Sequence, residues 1–599
     1  MKKRWAILLI ASAVLASYAP ALRDGFVWDD TALVLRDPLI RSWRSIPEGF
    51  QHFLFTDATA SDFYRPIQRL TYTLEYWAFA FRPAVFHLTS ILCHLAAALA
   101  FFVFANELLR LFGTSERLSN KAATIATIAW AIHPVQSAAV IYISGRADPL
   151  AVGFGFFALY CGLRSLRAEK GATSLLALAA IVAFLLSALS KETGLIFPLL
   201  LVLILAARKN WIALRNAGVV AVFVSVVYFS LRFPAEHNPA PRPATAVPVL
   251  VRPLIIARAA AEYAGLLALP LNLHMDRDVE THPTGFSEAS ITQAAWRELQ
   301  TLAGIILIAA GFYWIARARG QPAIFVCLLL AAISYLPVSG IFFLNATVAE
   351  HWLYLPSAFV LLAVCLTAYS FIREWSNQGR LILPMTMTSL ALLWIVFLGA
   401  RTFVRTFDWK DQRTFLERTI ANGGDSARIL INLGGLELTE GNLNEASAHL
   451  QAALRKEPDQ PFALLNLAAV AIKQNNFKLA HEMLARAIKQ PLAEPKAHEL
   501  LAVLENHQTG EVNLLRMRLA ARTGPSDWSI ERRYIKVLDE SGDTRQAIAE
   551  LKSCLATQWY RAESWQMLSE LSAKIGERDA AARAYQIARA YDVHLSPAM

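Results

Sequence analysis

Residues 173–209 decide the fold; they read TSLLALAAIVAFLLSALSKETGLIFPLLLVLILAARK. Two apolar runs, 173–190 and 194–207, flank a short polar turn that contains Lys191 and Glu192, and a basic pair closes the stretch. A helix of about 20 apolar residues crosses a bilayer, and basic residues collect in the loops on its cytoplasmic side. The pattern therefore predicts two membrane-spanning helices joined by a polar turn on the opposite side.

The same alternation of apolar runs and short basic clusters extends over residues 1–405. In the whole chain 55% of the residues are hydrophobic and only 17% are charged, against about a quarter in soluble domains. We expect an all-α, polytopic membrane domain over 1–405 with about eleven spans. They are 5–22, 84–112, 122–140, 147–166, 173–190, 194–207, 213–232, 299–317, 322–343, 352–372 and 381–403.

The distribution of basic residues predicts the orientation of this domain. Lys2, Lys3 and Arg4 place the N-terminus in the cytoplasm, and strict alternation then puts the later basic clusters on the same side. Two long loops, 23–83 and 233–298, lie on the opposite side with everything after about residue 404. The second loop contains 253–271, which we expect to lie in the interface or to pack on the bundle; if it spans, the later topology inverts.

The C-terminal residues 406–599 contain an internal repeat. Ala446, Leu450 and Ala453 recur 34 positions later as Ala480, Leu484 and Ala487. A 34-residue period with small and large apolar residues at these offsets is typical of tetratricopeptide (TPR) repeats. We expect an α-solenoid of four repeats, with a degenerate fifth at 496–527, that binds a peptide or protein partner.

Composition argues against two other kinds of site. The net charge of +10 is concentrated in the short loops between spans, and no basic tract with interleaved aromatics indicates nucleic-acid binding. The five cysteines form no CxxC pair, so neither a zinc site nor a disulfide framework is expected.

Five polar clusters fall at the non-cytoplasmic ends of the spans. A carboxylate there, in Asp29-Asp30, is suited to be a general base for an acceptor hydroxyl, although an aspartate in this position is more often a helix cap. An arginine can grip a phosphate or simply snorkel from an interfacial helix. Ionisable groups at membrane depth are candidates for function. The candidate residues are Asp29, Asp30, Arg65, His133, Arg146, Asp148, Lys191, Glu192, Glu350, His351 and Tyr354.

These motifs, in this order, resemble the family of transmembrane and TPR-containing protein O-mannosyltransferases (TMTC), which belongs to the GT-C glycosyltransferases. The resemblance extends over nearly the whole chain, and its composition suggests a bacterial relative. The matching segments are Phe26–Asp30, Tyr64–Ile67, Phe86-His87 with His94, His133–Ala147, Lys191-Glu192, Leu269–Leu273, Glu350–Ser357 and Asp408-Trp409.

The resemblance implies a GT-C bundle that transfers a sugar from a polyprenyl phosphate with inversion and requires no metal. It implies that Asp29, more than Asp30, is the general base. It further implies that Arg65, Arg146 and Lys191 hold the donor phosphate, and that Glu350 and His351 orient donor or acceptor; the family often has arginine in place of His351.

Three functions remain open from the sequence. The first is sugar transfer to Ser or Thr hydroxyls of exported proteins, with the TPR domain binding the acceptor or a partner. The second is transfer by the same chemistry to an envelope glycan or lipid. The third is a non-catalytic scaffold whose spans only anchor the repeats. In each case we expect a multi-pass protein of the bacterial inner membrane with the TPR domain outside the cytoplasm.

Overall fold

The computed structural model describes residues 3–56, 62–235, 250–283, 285–287, 290–342, 344, 346–523 and 527–595. Over these residues the chain forms α-helices joined by turns, short 3-10 helices and two longer loops, and the only β structure is one isolated bridge between Arg277 and Val348. The prediction of an all-helical membrane protein followed by TPR repeats is confirmed.

Thirteen α-helices of more than four residues make up the membrane domain in the described part of the chain. Eleven of them coincide with the predicted spans; α2 and α9 are the additional ones. They are α1 (Lys3–Tyr18), α2 (Pro66–Phe79), α3 (Pro83–Leu111), α4 (Glu116–Ala131), α5 (Ala147–Ser165), α6 (Lys170–Ser190), α7 (Ile196–Ala207), α8 (Trp211–Ala235), α9 (Arg252–Ala268), α10 (Ile291–Arg317), α11 (Pro322–Tyr335), α12 (Tyr354–Asn377) and α13 (Ile382–Thr406).

Seven helical segments of the described chain are long and apolar enough to cross a membrane. Two shorter apolar segments, Glu192–Ala207 and Pro322–Val338, contain α7 and α11. The protein is therefore a multi-pass membrane protein, while the count of eleven spans stays a prediction. The interfacial segment expected at 253–271 is helix α9, which packs closely on α10: a Cβ on Gly304 would meet the carbonyl oxygen of Ala257.

Helix α4 ends at Ala131, nine residues before the predicted end of its span, because a proline follows. Pro134 cannot donate a backbone hydrogen bond and disfavours helical geometry at the residue before it. His133 accordingly has extended backbone angles, and its ring nitrogen accepts a hydrogen bond from the backbone of Val135 at 3.3 Å. The chain then turns through residues 134–146, which carry part of the candidate site.

Close contacts hold the bundle together. Gly153 of α5 faces Ala97 of α3 without a side chain between them, and small residues allow this approach in membrane helices. Trp130, fully buried, packs edge-on against Tyr354 of α12 at a ring distance of 5.0 Å. The indole donates a hydrogen bond to the Tyr354 carbonyl, so the polar atoms of this core are paired within the protein.

After α14 (Gln412–Ala421), five helix pairs form the solenoid in the described residues. Gly441 ends the first helix with a left-handed φ of 86°, which favours glycine. The degenerate repeat expected at 496–527 also forms a helix pair, α19 and α20. The helices are α15 (Ala427–Glu440), α16 (Leu443–Lys456), α17 (Pro461–Lys473), α18 (Phe477–Ala487), α19 (Glu494–Thr509), α20 (Leu514–Thr523), α21 (Trp528–Glu540), α22 (Thr544–Thr557), α23 (Ala562–Lys574) and α24 (Arg578–Tyr591).

The last solenoid helix returns to the membrane domain. The Ser42 hydroxyl donates to the carbonyl of Ala590 at 2.8 Å, and the Tyr76 hydroxyl donates to the carboxylate of Asp592 at 2.7 Å. We call residues 24–56 the first loop. Both ends of the solenoid contact the first loop or the α2 helix beside it.

Candidate active site

The predicted polar clusters meet at one end of the helix bundle. The backbone of Gly25 donates to the carbonyl of Lys410 at 2.8 Å, which joins the first loop to the segment before the solenoid. Arg65 at the start of α2 pairs with Glu192, 3.1 Å away, in the turn between α6 and α7. The first loop, the start of α2, the turn between α6 and α7 and the segment before the solenoid therefore lie at the same end of the bundle.

Asp29 is a half-buried carboxylate in this region. Its backbone N–H donates to the Tyr142 hydroxyl at 3.2 Å, and that hydroxyl also hydrogen-bonds the Asp29 carboxylate. Burial raises the pKa of the Asp29 carboxyl, whereas the Tyr142 hydrogen bond and the positive charges of Arg428 and Arg65 lower it. A partly exposed carboxyl with opposed influences on its pKa is suited to accept a proton.

The residue before Asp29 has a strained backbone. Trp28 has a φ of 54°, a value that bulky residues rarely adopt. Its backbone N–H donates to the Gln412 side chain of α14 at 2.6 Å, and its ring packs edge-on against Phe415 at 5.5 Å. Strain of this kind persists where the surroundings enforce it and collects at functional sites.

Asp30 lies in a different environment from its neighbour. It is fully buried, and one carboxylate oxygen accepts from both the backbone and the hydroxyl of Ser144, at 2.8 and 2.6 Å. The other oxygen accepts from the backbone of Val27 at 3.1 Å. Burial raises the pKa of Asp30 to about 7. With both oxygens engaged, Asp30 ties the first loop to the turn before α5.

Two cations lie beside this region, each with an acidic partner. The Arg65 guanidinium contacts Glu192 through Nε and Nη2, at 3.2 and 3.1 Å, and its Nη1 lies outside this ion pair. The Lys191 ammonium lies 2.7 and 2.8 Å from the two oxygens of Asp148. An ammonium has three donors, so at least one N–H of Lys191 remains for a ligand.

His351 belongs to the same group, whereas Tyr354 points into the bundle. The half-buried His351 lies among the charges of Lys191, Asp148 and Arg65. The Tyr354 hydroxyl lies 2.6 Å from a ring nitrogen of His94 and is buried. The structure thus brings His351 to the cations and keeps Tyr354 in the core.

Arg146 is separated from this group by burial. Its guanidinium lies 2.7 Å from the carboxylate of Glu75 and donates to the hydroxyls of Ser90 and Thr71 and to the carbonyl of Phe86. The side chain has no exposed surface. These contacts use both sides of the guanidinium, so in this conformation Arg146 holds the turn before α5 in place.

His133 and Glu350 also lie apart from Arg65 and Lys191. The buried His133 ring contacts the Leu267 carbonyl at 3.0 Å as well as capping its own turn. Glu350 accepts from the backbone of His274 at 2.6 Å and lies 3.6 Å from Arg405 and 3.7 Å from Arg277. Glu350 therefore joins α12 and α13 to the loop before α10.

Sequence reasoning missed three residues near Asp29. Tyr142 lies within a motif that the resemblance covers, but nothing in the motif marks the hydroxyl as a partner of Asp29. Gln412 and Arg428 follow the last span, in helices that repeat periodicity assigns to the solenoid. Only the folded chain shows that they contact the first loop.

Comparison with known proteins supports the relationship that the motifs suggested. The tetratricopeptide repeat family model matches residues 437–504. The chain is 25% identical over 465 residues to Protein O-mannosyl-transferase F38B6.6 of Caenorhabditis elegans, covering 76% of this chain and 63% of that protein. It is 23% identical over 550 residues to human Protein O-mannosyl-transferase TMTC3, covering 85% of this chain and 58% of that protein.

The resemblance to the TMTC proteins is confirmed. The chain spans about six tenths of the length of these TMTC relatives. Among solved structures, ArnT from Cupriavidus metallidurans is similar at a TM-score of 0.33 with 15% identity, over 84% of this chain and 77% of ArnT.

Proposed function

We propose that this TMTC relative is a membrane glycosyltransferase of the GT-C type. It moves a sugar, mannose or another hexose, from a polyprenyl-phosphate donor to a Ser or Thr hydroxyl of an exported protein. The observation that carries the proposal is the half-buried carboxylate of Asp29 in the same region as the cations Arg65 and Lys191. The relatives are named protein O-mannosyl-transferases, which favours mannose and a protein acceptor.

Asp29 acts as the general base in this reaction. The acceptor oxygen attacks the anomeric carbon of the sugar while its proton passes to the Asp29 carboxylate. The bond between the anomeric carbon and the phosphate oxygen breaks on the opposite face, so the configuration inverts. Tyr142 holds the carboxylate in place through its hydroxyl.

Arg65 and Lys191 stabilise the negative charge that develops on the leaving polyprenyl phosphate. Preorganised cations of this kind stabilise a transition state more than they stabilise the bound substrate. Glu192 and Asp148 fix the two cations, and His351 lies near both of them. Because Arg65 and Lys191 supply the positive charge, the proposed reaction requires no metal ion.

The proposal assigns an orientation to the protein. The N-terminus lies in the cytoplasm of a bacterial cell, and Asp29 and the solenoid lie on the outer side of the inner membrane. The lipid-linked donor then reaches Arg65 and Lys191 from the bilayer, and the acceptor approaches from the side of the solenoid. A reporter fused to the C-terminus that is active only outside the cytoplasm tests this orientation.

Two other functions compete with this one. A glycan or lipid acceptor would use the same donor chemistry, and a scaffold would use only the solenoid. A scaffold gives no reason for the strained Trp28 beside Asp29 or for two cations held at one end of the bundle. The repeat array favours a protein acceptor, because such arrays bind peptides and proteins.

The test is transfer by the purified full-length protein in liposomes. The vesicles contain polyprenyl-phosphate mannose or polyprenyl-phosphate glucose, and Ser/Thr peptides are the acceptors. In parallel, mass spectrometry compares exported proteins from cells with and without the gene. We expect hexose on Ser/Thr peptides that disappears without the gene. Altered envelope glycans with unchanged proteins would support the glycan acceptor, and no change in either would contradict transfer altogether.

A further inference from the structure

Arg428, near the start of the first TPR helix α15, lies against the first loop. The central carbon of its guanidinium is 5.3 Å from the centre of the Trp28 ring. One guanidinium nitrogen also lies 3.0 Å from a carboxylate oxygen of Asp276, in the loop before α10. The Arg428 side chain is thus held between two loops of the membrane domain although it belongs to the solenoid.

Asp276 fixes the position of this arginine. Its second oxygen accepts from the backbone of Ser426 at 3.2 Å, so the same carboxylate binds both the start of α15 and Arg428. Gly424 lies so close to His274 that a Cβ there would meet the imidazole at 2.8 Å. The first TPR helix is therefore docked on the membrane domain with a defined register.

The adjacent helix α14 reinforces the contact. Gln412 accepts the backbone hydrogen bond of Trp28, the residue with the strained φ of 54°. Arg428 covers one side of the Trp28 ring and Phe415 packs against it edge-on. Two helices from the solenoid side therefore hold the residue that precedes Asp29.

We propose that Arg428 is a positioning residue of the active site: the solenoid supplies it to fix the Trp28-Asp29 segment. This inference rests on the proposed function. It makes the repeat array part of the site, in addition to any role in acceptor binding. Removing Arg428 then impairs the chemical step even with an acceptor too small to reach the repeats.

The charges around Asp29 give the sign of the effect. The groups that act on Asp29 and its neighbour are Tyr142 from the turn before α5, Arg65 at the start of α2, Asp30 in the chain and Arg428 from α15. The positive charge of Arg428 lowers the pKa of Asp29. Without it the pKa rises, so the acidic limb of the rate profile moves to higher pH.

The experiment compares Arg428→Gln with Arg428→Lys and with the control Arg413→Gln. Arg413 lies on α14 and pairs with Glu417 and Glu440, away from Trp28. With a short Ser/Thr peptide and polyprenyl-phosphate mannose, Arg428→Gln is expected to lower kcat about tenfold without changing the KM for the donor. The midpoint of the acidic limb of the pH–rate profile is expected to move to higher pH in this variant.

The lysine variant is expected to keep the wild-type pH profile, because it retains the charge, and Arg413→Gln is expected to match the wild type in all parameters. An unchanged pH profile and kcat in folded Arg428→Gln would overturn the inference. The inference would also be overturned if Arg428→Lys lost as much kcat as Arg428→Gln while the acidic limb of the pH–rate profile stayed in place. That result would indicate that only the packing of the arginine side chain matters.

A second measurement separates this inference from the proposed function. Infrared titration of the full-length protein follows carboxyl ionisation without any substrate, and the band of Asp29 is the one missing in Asp29→Asn. Arg428→Gln is expected to move the midpoint of that band to higher pH. If the wild type transfers no sugar but the midpoint moves, the proposed function fails and the positioning role stands. An unmoved midpoint contradicts the positioning role.

Discussion

Aspartate and arginine occur in two environments at this end of the bundle. Asp29 and Arg65 lie at the edge, which is partly exposed, and Asp30 and Arg146 lie in the buried interior. At the edge, Asp29 is only half-buried, and Arg65 contacts Glu192 with two of its three guanidinium nitrogens. In the interior, Asp30 and Arg146 use their polar atoms in hydrogen bonds and an ion pair within the protein. Charged residues next to each other in a motif can therefore have opposite roles.

The difference follows from the cost of burial. A charge removed from water must be paired and hydrogen-bonded, or it destabilises the fold. Arg146 and Asp30 meet that condition and hold the turn before α5 against the first loop and α2. Asp29 and Arg65 remain partly exposed, so their polar atoms do not all need partners within the protein and can bind a substrate.

The largest expected effect comes from Arg146→Met. It leaves the Glu75 carboxylate buried without its cation, and breaking such a pair costs about 3–5 kcal/mol. We expect a much lower thermal unfolding midpoint in detergent than for the wild type. The same change at Arg65, whose partner Glu192 is partly exposed, is expected to cost less than about 1 kcal/mol.

A double variant tests the cause of this loss. Adding Glu75→Gln to Arg146→Met removes the unpaired charge, so we expect part of the stability to return. Equal unfolding midpoints for Arg146→Met and Arg65→Met would show that the interior and the edge do not differ in the way described.

The next effect concerns the donor. Lys191→Met and Arg65→Met each remove one cation beside Asp29, and a hydrogen bond to a charged group contributes about 1.5–3 kcal/mol. Because Lys191 and Asp148 form a buried pair, Lys191→Met is also expected to lower the unfolding midpoint more than Arg65→Met does. We therefore expect each variant to weaken donor binding by about 10- to 100-fold, measured as the KM for polyprenyl-phosphate mannose. Donor binding unchanged by either substitution would remove these residues from the phosphate site.

The smallest effect is on the pH dependence of stability. Burial, and secondarily the charge of Asp411, raise the pKa of Asp24 to about 7, against about 4 in an unfolded chain. Between these values the folded state binds more protons, so this contribution to stability is present at low pH and is lost as the pH rises towards 7. We expect the unfolding midpoint to fall less between pH 5 and pH 8 in Asp24→Asn than in the wild type. An identical fall in both proteins would contradict this contribution.

Much of the fold could be predicted from the sequence, because apolar runs and a 34-residue period are local signals. Helices α6 and α7 begin and end close to the predicted spans, and the solenoid pairs follow the repeat. Helix α4 ends at Ala131, earlier than hydropathy predicts, because Pro134 disfavours a continuing helix. The motifs also placed Asp29, Arg65 and Lys191 at the same end of the bundle.

The roles of individual residues could not be predicted in the same way. Whether Arg146 faces a substrate or Glu75 depends on residues 71 positions apart in the chain. The contact between Arg428 and Trp28 joins the solenoid to the first loop across an even longer separation. Such pairings arise from tertiary packing, which periodicity and spacing do not encode.

The most direct test of the central claim compares Asp29→Asn with Asp30→Asn. Both replace a carboxyl group with an amide at neighbouring positions, but both carboxylate oxygens of Asp30 accept hydrogen bonds from Ser144 and Val27. We expect Asp29→Asn to lower kcat for transfer by about 10²–10⁴-fold with unchanged donor binding and stability. Asp30→Asn is expected to lower the free energy of unfolding by about 1–3 kcal/mol, and with it the unfolding midpoint. The folded Asp30→Asn protein is expected to retain transfer. Wild-type transfer by Asp29→Asn would contradict the account.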